Sequence, residues 1–130
     1  MKIVADSSAI LDFLDGIIED PYAVIRPYRL ILISPVALHE VLRAYPQNLH
    51  DPLFDKLSNE LLPVPSLEHW TESARVLRAL YPLRQQRSVA RMQNDVLIAL
   101  AAREVDAPIW SRDRDFVLVC NHLDVGLFEE

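Results

Sequence analysis

The chain has 130 residues, of which 51% are hydrophobic and two are glycine, so it suits one domain over residues 1–130 and is not disordered. Its net charge of -6 excludes generic, charge-driven binding of nucleic acid, and any such contact would need a local basic patch or a metal. The single cysteine, Cys120, cannot form an internal disulfide. With no signal pattern or apolar run of membrane-spanning length, the sequence predicts a reducing, cytoplasmic setting.

The first predicted element is a short apolar strand over residues 2–5 that ends at Asp6. Ser7 and Ser8 follow directly, and their hydroxyls are suited to capping the start of a helix. Asp6 is therefore expected at the carboxyl end of a strand. In an open α/β sheet that end faces the functional crevice.

The second predicted strand, residues 30–33, is continuously apolar, as is typical of a strand buried on both faces. Ser34 and Pro35 then favour the start of a helix that runs to about Ala44. Helical spacing puts Glu40 nearly opposite the apolar face and gives it no reason to enter a cleft. The members of that predicted face are Leu38, Val41, Leu42 and Tyr45.

The middle of the chain predicts two more helices and one extended link. One helix starts at Asp51-Pro52, and residues 62–65 form an edge strand or link because proline is tolerated there. The second helix runs from Ser66 to about Leu80 and points Trp70 inward as a core aromatic residue.

A basic stretch over residues 75–91 stands out because it contains no acid. It could bind phosphates, or it could be a solvated face or an anchor for a partner's carboxylates, and the sequence leaves both open. Its candidates for contact with RNA or a partner are Arg84, Arg87 and Arg91.

The stretch from Asn94 to Phe116 organises the rest of the chain. Asp95 stands directly before the apolar run 96–102, which predicts a helix buried on all sides. A turn at residues 106–108 leads to a short apolar strand and then to an acidic loop that contains Asp113 and Asp115. The last apolar segments lie within 116–120 and 124–128, one of them a predicted final strand. Strands alternating with helices predict an α/β fold, a three-layer α/β/α sandwich with a mainly parallel central sheet.

Three acids, Asp6, Asp95 and Asp113, are each predicted at a strand end or at the entrance of a buried helix, so they can converge on one edge of the sheet. Clustered carboxylates repel one another unless a cation lies among them, and oxygen ligands without His or Cys favour Mg²⁺ or Mn²⁺. Such a site activates water and neutralises a phosphodiester, so it indicates phosphodiester hydrolysis.

Four segments of the chain resemble the PIN-domain ribonucleases, specifically the VapC-like toxins of toxin-antitoxin pairs, in order and in spacing. They are IVADSSAILDFL, SPVALHEVLRAY, NDVLIALAA and PIWSRDRDF, and the likeness spans essentially the whole chain. It implies a PIN-like sandwich and a metal-dependent endoribonuclease in which Mg²⁺ or Mn²⁺ is bound by Asp6, Glu40, Asp95 and Asp113. Glu40 enters this quartet through the resemblance alone.

The same resemblance implies further residues and partners. Ser111 matches a hydroxyl position before the last acid, and Asp115 is a supporting or alternative fourth ligand ranked below Asp113. Ser7 keeps a hydroxyl in the first motif, whereas Ser8 replaces the amide that the family often has there, and Asn94 could supply an amide nearby. The implied partners are an RNA substrate, a cognate antitoxin and a second copy of the chain in a homodimer that contacts through the early helices.

Two rival functions remain at this point. A catalytically inactive module of the same fold would bind RNA or a protein without cleaving, although the presence of all four acids counts against it. A phosphatase with an aspartyl nucleophile would need a second acid two residues after Asp6, where the chain has Ser8.

Overall fold

The computed structural model describes residues 1–45 and 60–130, so the helix predicted to start at Asp51-Pro52 lies outside the described residues. The elements alternate between strands and helices from the start of the chain. In order they are β1 (Lys2–Ala5), α1 (Ser7–Leu14), α2 (Pro21–Val24), β2 (Leu30–Ile33), α3 (Pro35–Ala44), α4 (Leu67–Leu80), a 3₁₀ turn (Tyr81–Leu83), α5 (Val89–Glu104), β3 (Ile109–Trp110) and α6 (Phe116–Leu123).

The three strands form one parallel sheet in the order β2-β1-β3. Ala5 at the end of β1 pairs with Ile33 of β2 and with Trp110 of β3. The three carboxyl ends therefore meet at the same edge of the sheet. The residues that follow them, Asp6, Ser34 and Ser111, are neighbours at that edge.

The predicted PIN-like α/β/α sandwich is wrong, because the sheet of the described residues has three strands only. The segments expected to widen it do not become strands. Leu61 makes a single bridge to Ile33, and the prolines at 63 and 65 cannot donate further ladder hydrogen bonds. Residues 116–120 belong to helix α6, and after it Leu127 makes one bridge to Ile109.

Helix α5 is the buried centre of the fold, as its apolar run predicts. It begins at Val89 after the cap Ser88, so the prediction that Asp95 lies at its entrance is wrong. It contacts α3, α4 and α6, and almost every side chain from Val96 to Ala102 is buried. The chain then reverses at Asp106, whose positive φ of 53° lies in the left-handed region that tight turns use. β3 follows directly. Asp95 in α5 and the acidic loop after β3 therefore lie at the same edge of the sheet.

Two helices bury faces that are shifted from the predicted ones. Helix α3 buries Ala37 and Val41, and this places Glu40, three residues after Ala37, beside the buried stripe and not opposite it. Helix α4 buries Ser73, Val76 and Leu80, and the predicted core residue Trp70 is 45% exposed. Val41 and Leu80 are buried as predicted, and the small residues Ala37 and Ser73 join them at the core.

One hydrophobic cluster joins side chains from Ile3 to Val125, with Phe116 and Leu100 among its fully buried members. Within residues 1–45 and 60–130, none of the helices combines the length and the apolar character that crossing a bilayer requires.

Candidate metal centre

The centre is built where β1 and β3 end side by side. The backbone N–H of Asp6 donates to the carbonyl oxygen of Trp110 at 2.9 Å, which holds the two strand ends together. Asp6 is itself the N-cap of α1 and accepts from the Ser8 N–H, so the expectation that Ser7 and Ser8 cap this helix is wrong. The cap conformation turns the Asp6 carboxylate toward the loop after β3.

Three hydroxyl groups surround the Asp6 carboxylate, which belongs to a residue only 3% exposed. Ser8 Oγ donates to Asp6 Oδ2 at 2.8 Å and Ser111 Oγ donates to the same oxygen at 2.9 Å. Ser7 Oγ lies 3.4 Å from Oδ1. Burial raises the pKa of Asp6, and the hydrogen bonds from Ser8 and Ser111 oppose that rise.

Glu40 reaches the same region from α3. Burial raises the pKa of Glu40, and the charge of Asp6 raises it further, while a hydrogen bond with Ser7 lowers it. Its Oε1 atom is buried and has no hydrogen-bond partner among the residues described. A buried carboxylate oxygen without a donor is costly, so this atom is suited to a ligand.

Asp95 lies within α5, and its carboxyl is also affected by burial and by the neighbouring acids. Burial raises the pKa of Asp95 to about 8, and the charges of Asp6, Asp113 and Glu40 add to that rise. Arg91, one helical turn earlier, lowers it. Asp6, Asp113 and Glu40 therefore act electrostatically on Asp95, although the four acids come from four separate segments of the chain.

The acidic loop is held by its own hydrogen bonds and by two arginines of the basic stretch. The Asp113 N–H donates to Ser111 Oγ at 3.0 Å, and the Asp115 N–H donates to Asp113 Oδ1 at 2.9 Å. Arg91 Nη2 lies 3.4 Å from Asp113 Oδ2, and Arg87 Nε lies 2.9 Å from Asp115 Oδ1. Each carboxylate of the loop therefore has an arginine partner, and Asp113 is the one whose charge helps to raise the pKa of Asp95.

The four acids offer oxygen atoms only, which are the ligands that Mg²⁺ and Mn²⁺ prefer. Glu40 Oε1 accepts no hydrogen bond from a described residue that a cation would have to replace. Among residues 1–45 and 60–130, no three His, Cys, Asp or Glu side chains are arranged so that together they could hold a metal ion. Because Mg²⁺ keeps several waters and often binds through one or two carboxylates, the residues fit a hydrated cation and not a closed protein cage.

Of the other candidate residues from the sequence, some contact the four acids and others do not. Ser7 and Ser111 contact Asp6 directly. Asn94 is half-buried beside Asp95 and makes no side-chain hydrogen bond within the part of the chain that the structure describes. Arg84 contacts neither acidic loop residue and stacks on Tyr81, with its guanidinium carbon 4.1 Å from the ring centre.

Ser8 is the residue whose importance the sequence interpretation missed. Its hydroxyl donates to Asp6, lies 3.2 Å from Ser111 Oγ and accepts from the Arg112 N–H at 2.9 Å. It therefore joins the end of β1 to the loop after β3. The available signal was a serine two residues after an acid at a strand end, a spacing at which side chains bond locally.

Comparison with known proteins shows which fold the chain has but assigns the chain to no family. No protein-family model matches the chain, and no curated protein matches it. The structure shares its fold with chains of two solved structures, both of type II toxin-antitoxin complexes. At identities of 14% and 15% these likenesses establish the fold alone.

The two structures are matched over nearly their whole chains. VapBC-1 from nontypeable Haemophilus influenzae has a TM-score of 0.70 at 14% identity, over 99% of this chain and 98% of the matched chain. FitAcB from Neisseria gonorrhoeae has a TM-score of 0.54 at 15% identity, over 99% of this chain and 97% of the matched chain.

The assignment of the chain to the PIN-domain ribonucleases and VapC-like toxins does not stand. The structural likenesses support only a fold that occurs in toxin-antitoxin complexes, and the sheet of the described residues is smaller than the predicted sandwich requires. The four motifs are short, and their apolar spacing is what any chain of alternating buried strands and helices must have.

Proposed function

We propose that this chain is a metal-dependent endoribonuclease that acts within a type II toxin-antitoxin pair. The observation that supports the proposal best is the environment of Asp95, where burial and then the charges of Asp6, Asp113 and Glu40 raise its pKa to about 8. Without a counter-charge, such an arrangement destabilises the fold. A function that requires a cation would explain why the chain keeps these acids together.

Asp6 and Asp95 would hold the cation, with Glu40 and Asp113 completing its surroundings. Mg²⁺ or Mn²⁺, when bound, supplies an activated water and neutralises charge on a phosphodiester. The chain's own residues prepare the carboxylates for this. Ser8 and Ser111 orient Asp6 through its Oδ2 atom, and Arg91 offsets negative charge near Asp113 and Asp95.

The partner in this proposal is a second protein of the toxin-antitoxin pair, and support comes from the fold shared with VapBC-1 and FitAcB. A homodimer formed through the early helices belongs to the same proposal. Apolar exposure near α1 and at the start of β2 is consistent with it, since Ile17 and Leu30 are both exposed. Light scattering of the chain with and without its partner measures both associations.

One observation favours a second candidate, a binding module of the same fold that does not cleave RNA. Among the described residues no three potential ligands are arranged to hold a metal ion, as they would be in a preformed cage. In that case the acidic cluster would bind basic side chains of a partner. Cleavage separates the two functions, because only the first requires a metal.

The test is cleavage of a structured RNA pool by the purified chain with Mg²⁺, with Mn²⁺ and with EDTA, beside Asp6→Asn and Asp95→Asn. We expect cleavage with either metal, none with EDTA, and none by either variant, with circular dichroism showing that both remain folded. Folded wild type that binds RNA or its partner but cuts nothing with metal would establish the binding module instead.

A further inference from the structure

A pocket of about 320 Å³ lies between α4, the 3₁₀ turn and the start of α5. Its walls combine an aromatic ring, Tyr81, with the guanidinium groups of Arg78 and Arg84 and with apolar side chains. Tyr81 is 55% exposed although it is large and aromatic. Proteins that bind single-stranded nucleic acid use aromatic rings to stack with bases and cationic side chains to contact phosphates.

Arg84 has a side-chain N–H in this pocket that donates to none of the described residues. Its Nη1 donates to the carbonyl oxygen of Arg87 at 3.5 Å, a long bond, and its buried Nε has no acceptor among the described residues. An unpaired guanidinium donor in a pocket wall is satisfied best by an anionic oxygen, and phosphate matches its planar geometry.

The other two arginines of the stretch are already engaged. Arg87 pairs with Asp115 and Arg91 with Asp113, so both neutralise the acidic loop. Arg84 makes no ion pair with a described residue, and its guanidinium lies over Tyr81. The three arginines therefore divide into two that hold the loop and one that is available for a ligand.

The pocket is also close to the acidic cluster along α5. Met92 lines the pocket, and Asp95 follows it by three residues, which places both on one side of the helix about one turn apart. A nucleotide bound at Tyr81 and Arg84 would thus continue toward the carboxylates.

We infer that this pocket is an RNA-binding subsite in which Arg84 contacts a backbone phosphate and Tyr81 stacks with a base. The inference rests on the proposed function, since it names a substrate contact for the same site. It separates Arg84 from Arg87 and Arg91, which position the acidic loop.

The experiment measures binding of a single-stranded RNA oligonucleotide by fluorescence anisotropy in the Asp95→Asn background, which is expected not to cleave. Arg84→Ala should weaken binding at least about tenfold and reduce the dependence of log Kd on log salt by about 0.7, the contribution of one phosphate contact. Tyr81→Leu should weaken binding about fivefold and leave the salt dependence unchanged, because stacking carries no charge.

Arg103→Ala is the matched control, because Arg103 is paired with Glu72 and does not line the pocket. It should change the Kd less than about twofold. If Arg84→Ala and Tyr81→Leu behave like this control, the inference is overturned, and it is overturned equally if they keep RNA affinity but lose the protein partner. Metal-dependent cleavage by an Arg84→Ala protein with unchanged KM would overturn the subsite while leaving the proposed function intact.

Discussion

Asp95→Asn is expected to make the metal-free protein more stable and at the same time to remove the metal-dependent cleavage that we propose for it. Burial, and then the charges of Asp6, Asp113 and Glu40, raise the pKa of Asp95 in the folded protein. Near neutral pH the wild-type carboxyl must therefore take up a proton on folding or carry a disfavoured charge, and the asparagine does neither. We expect Tm to rise by about 5 °C or more at pH 8. RNA cleavage should fall by more than the roughly 100-fold that is typical for loss of a supporting residue.

The pH dependence of stability follows from the same pKa. Asp95 titrates near 8 in the folded protein and near its ordinary value of 3.8 when unfolded. Between these values the folded state binds more protons than the unfolded state, so stability falls as pH rises from about 4 through about 8. Asp95→Asn should flatten this part of the profile of Tm against pH.

Glu129→Gln is the control for this experiment, since it removes an exposed carboxylate near the end of the chain. It should leave the slope of Tm against pH unchanged. A lower Tm for Asp95→Asn at pH 8, together with retained cleavage, would show that Asp95 neither repels its neighbours nor serves the metal.

Ser111→Ala is the second substitution with a large expected effect. The Ser111 hydroxyl donates to Asp6 Oδ2 at 2.9 Å and accepts from the Asp113 N–H at 3.0 Å, so it links two of the acids. Its loss should weaken metal affinity about 10- to 100-fold, as loss of a hydrogen bond to a metal ligand typically does. The free energy of unfolding should fall by about 1–3 kcal/mol, because part-buried polar groups lose a partner.

Ser73→Ala is a matched serine control within the core. Ser73 is 1% exposed, and its hydroxyl has no hydrogen-bond partner among the described residues. Its replacement should leave stability unchanged or increase it, and should leave metal affinity as it is. Calorimetry for stability and Mn²⁺ titration for affinity compare the two. Equal behaviour of the two alanine variants would mean that Ser111 has no role in holding Asp6.

Elements with a strong local signal could be predicted from the sequence. The two apolar strands and the helix after Ser34-Pro35 occur where their composition and caps indicate. The buried apolar run is helical as predicted, but its helix begins at Val89 after the cap Ser88 and not at Asp95. The extent of the sheet could not be predicted, because residues 116–120 are apolar enough for a strand and form a helix through packing. The prediction that Trp70 points inward is wrong for a similar reason, since Ser73 and Val76 occupy the core face of α4.

The proximity of three of the acids could be predicted from the sequence, whereas the contacts of Ser8 and of the two loop-binding arginines could not. Asp6 and Asp113 follow strands, and Asp95 belongs to a buried helix, so their convergence follows from topology. The role of Ser8 depends on contacts across more than 100 positions of the chain, as its bond with Arg112 shows. The pairing of Arg87 and Arg91 with the acidic loop also joins residues more than 20 positions apart. Local spacing carries no information about such contacts.

The most direct test of the account is calorimetric titration of Mn²⁺ into the metal-free chain at pH 7, repeated in two buffers with different ionisation enthalpies. The pKa of Asp95 near 8 means that this carboxyl holds a proton at pH 7 and must release it when a cation binds. We expect Mn²⁺ to bind with release of about one proton. We expect Asp95→Asn to lose both the binding and the proton release. No binding at millimolar Mn²⁺, or the same binding by Asp95→Asn, would contradict it.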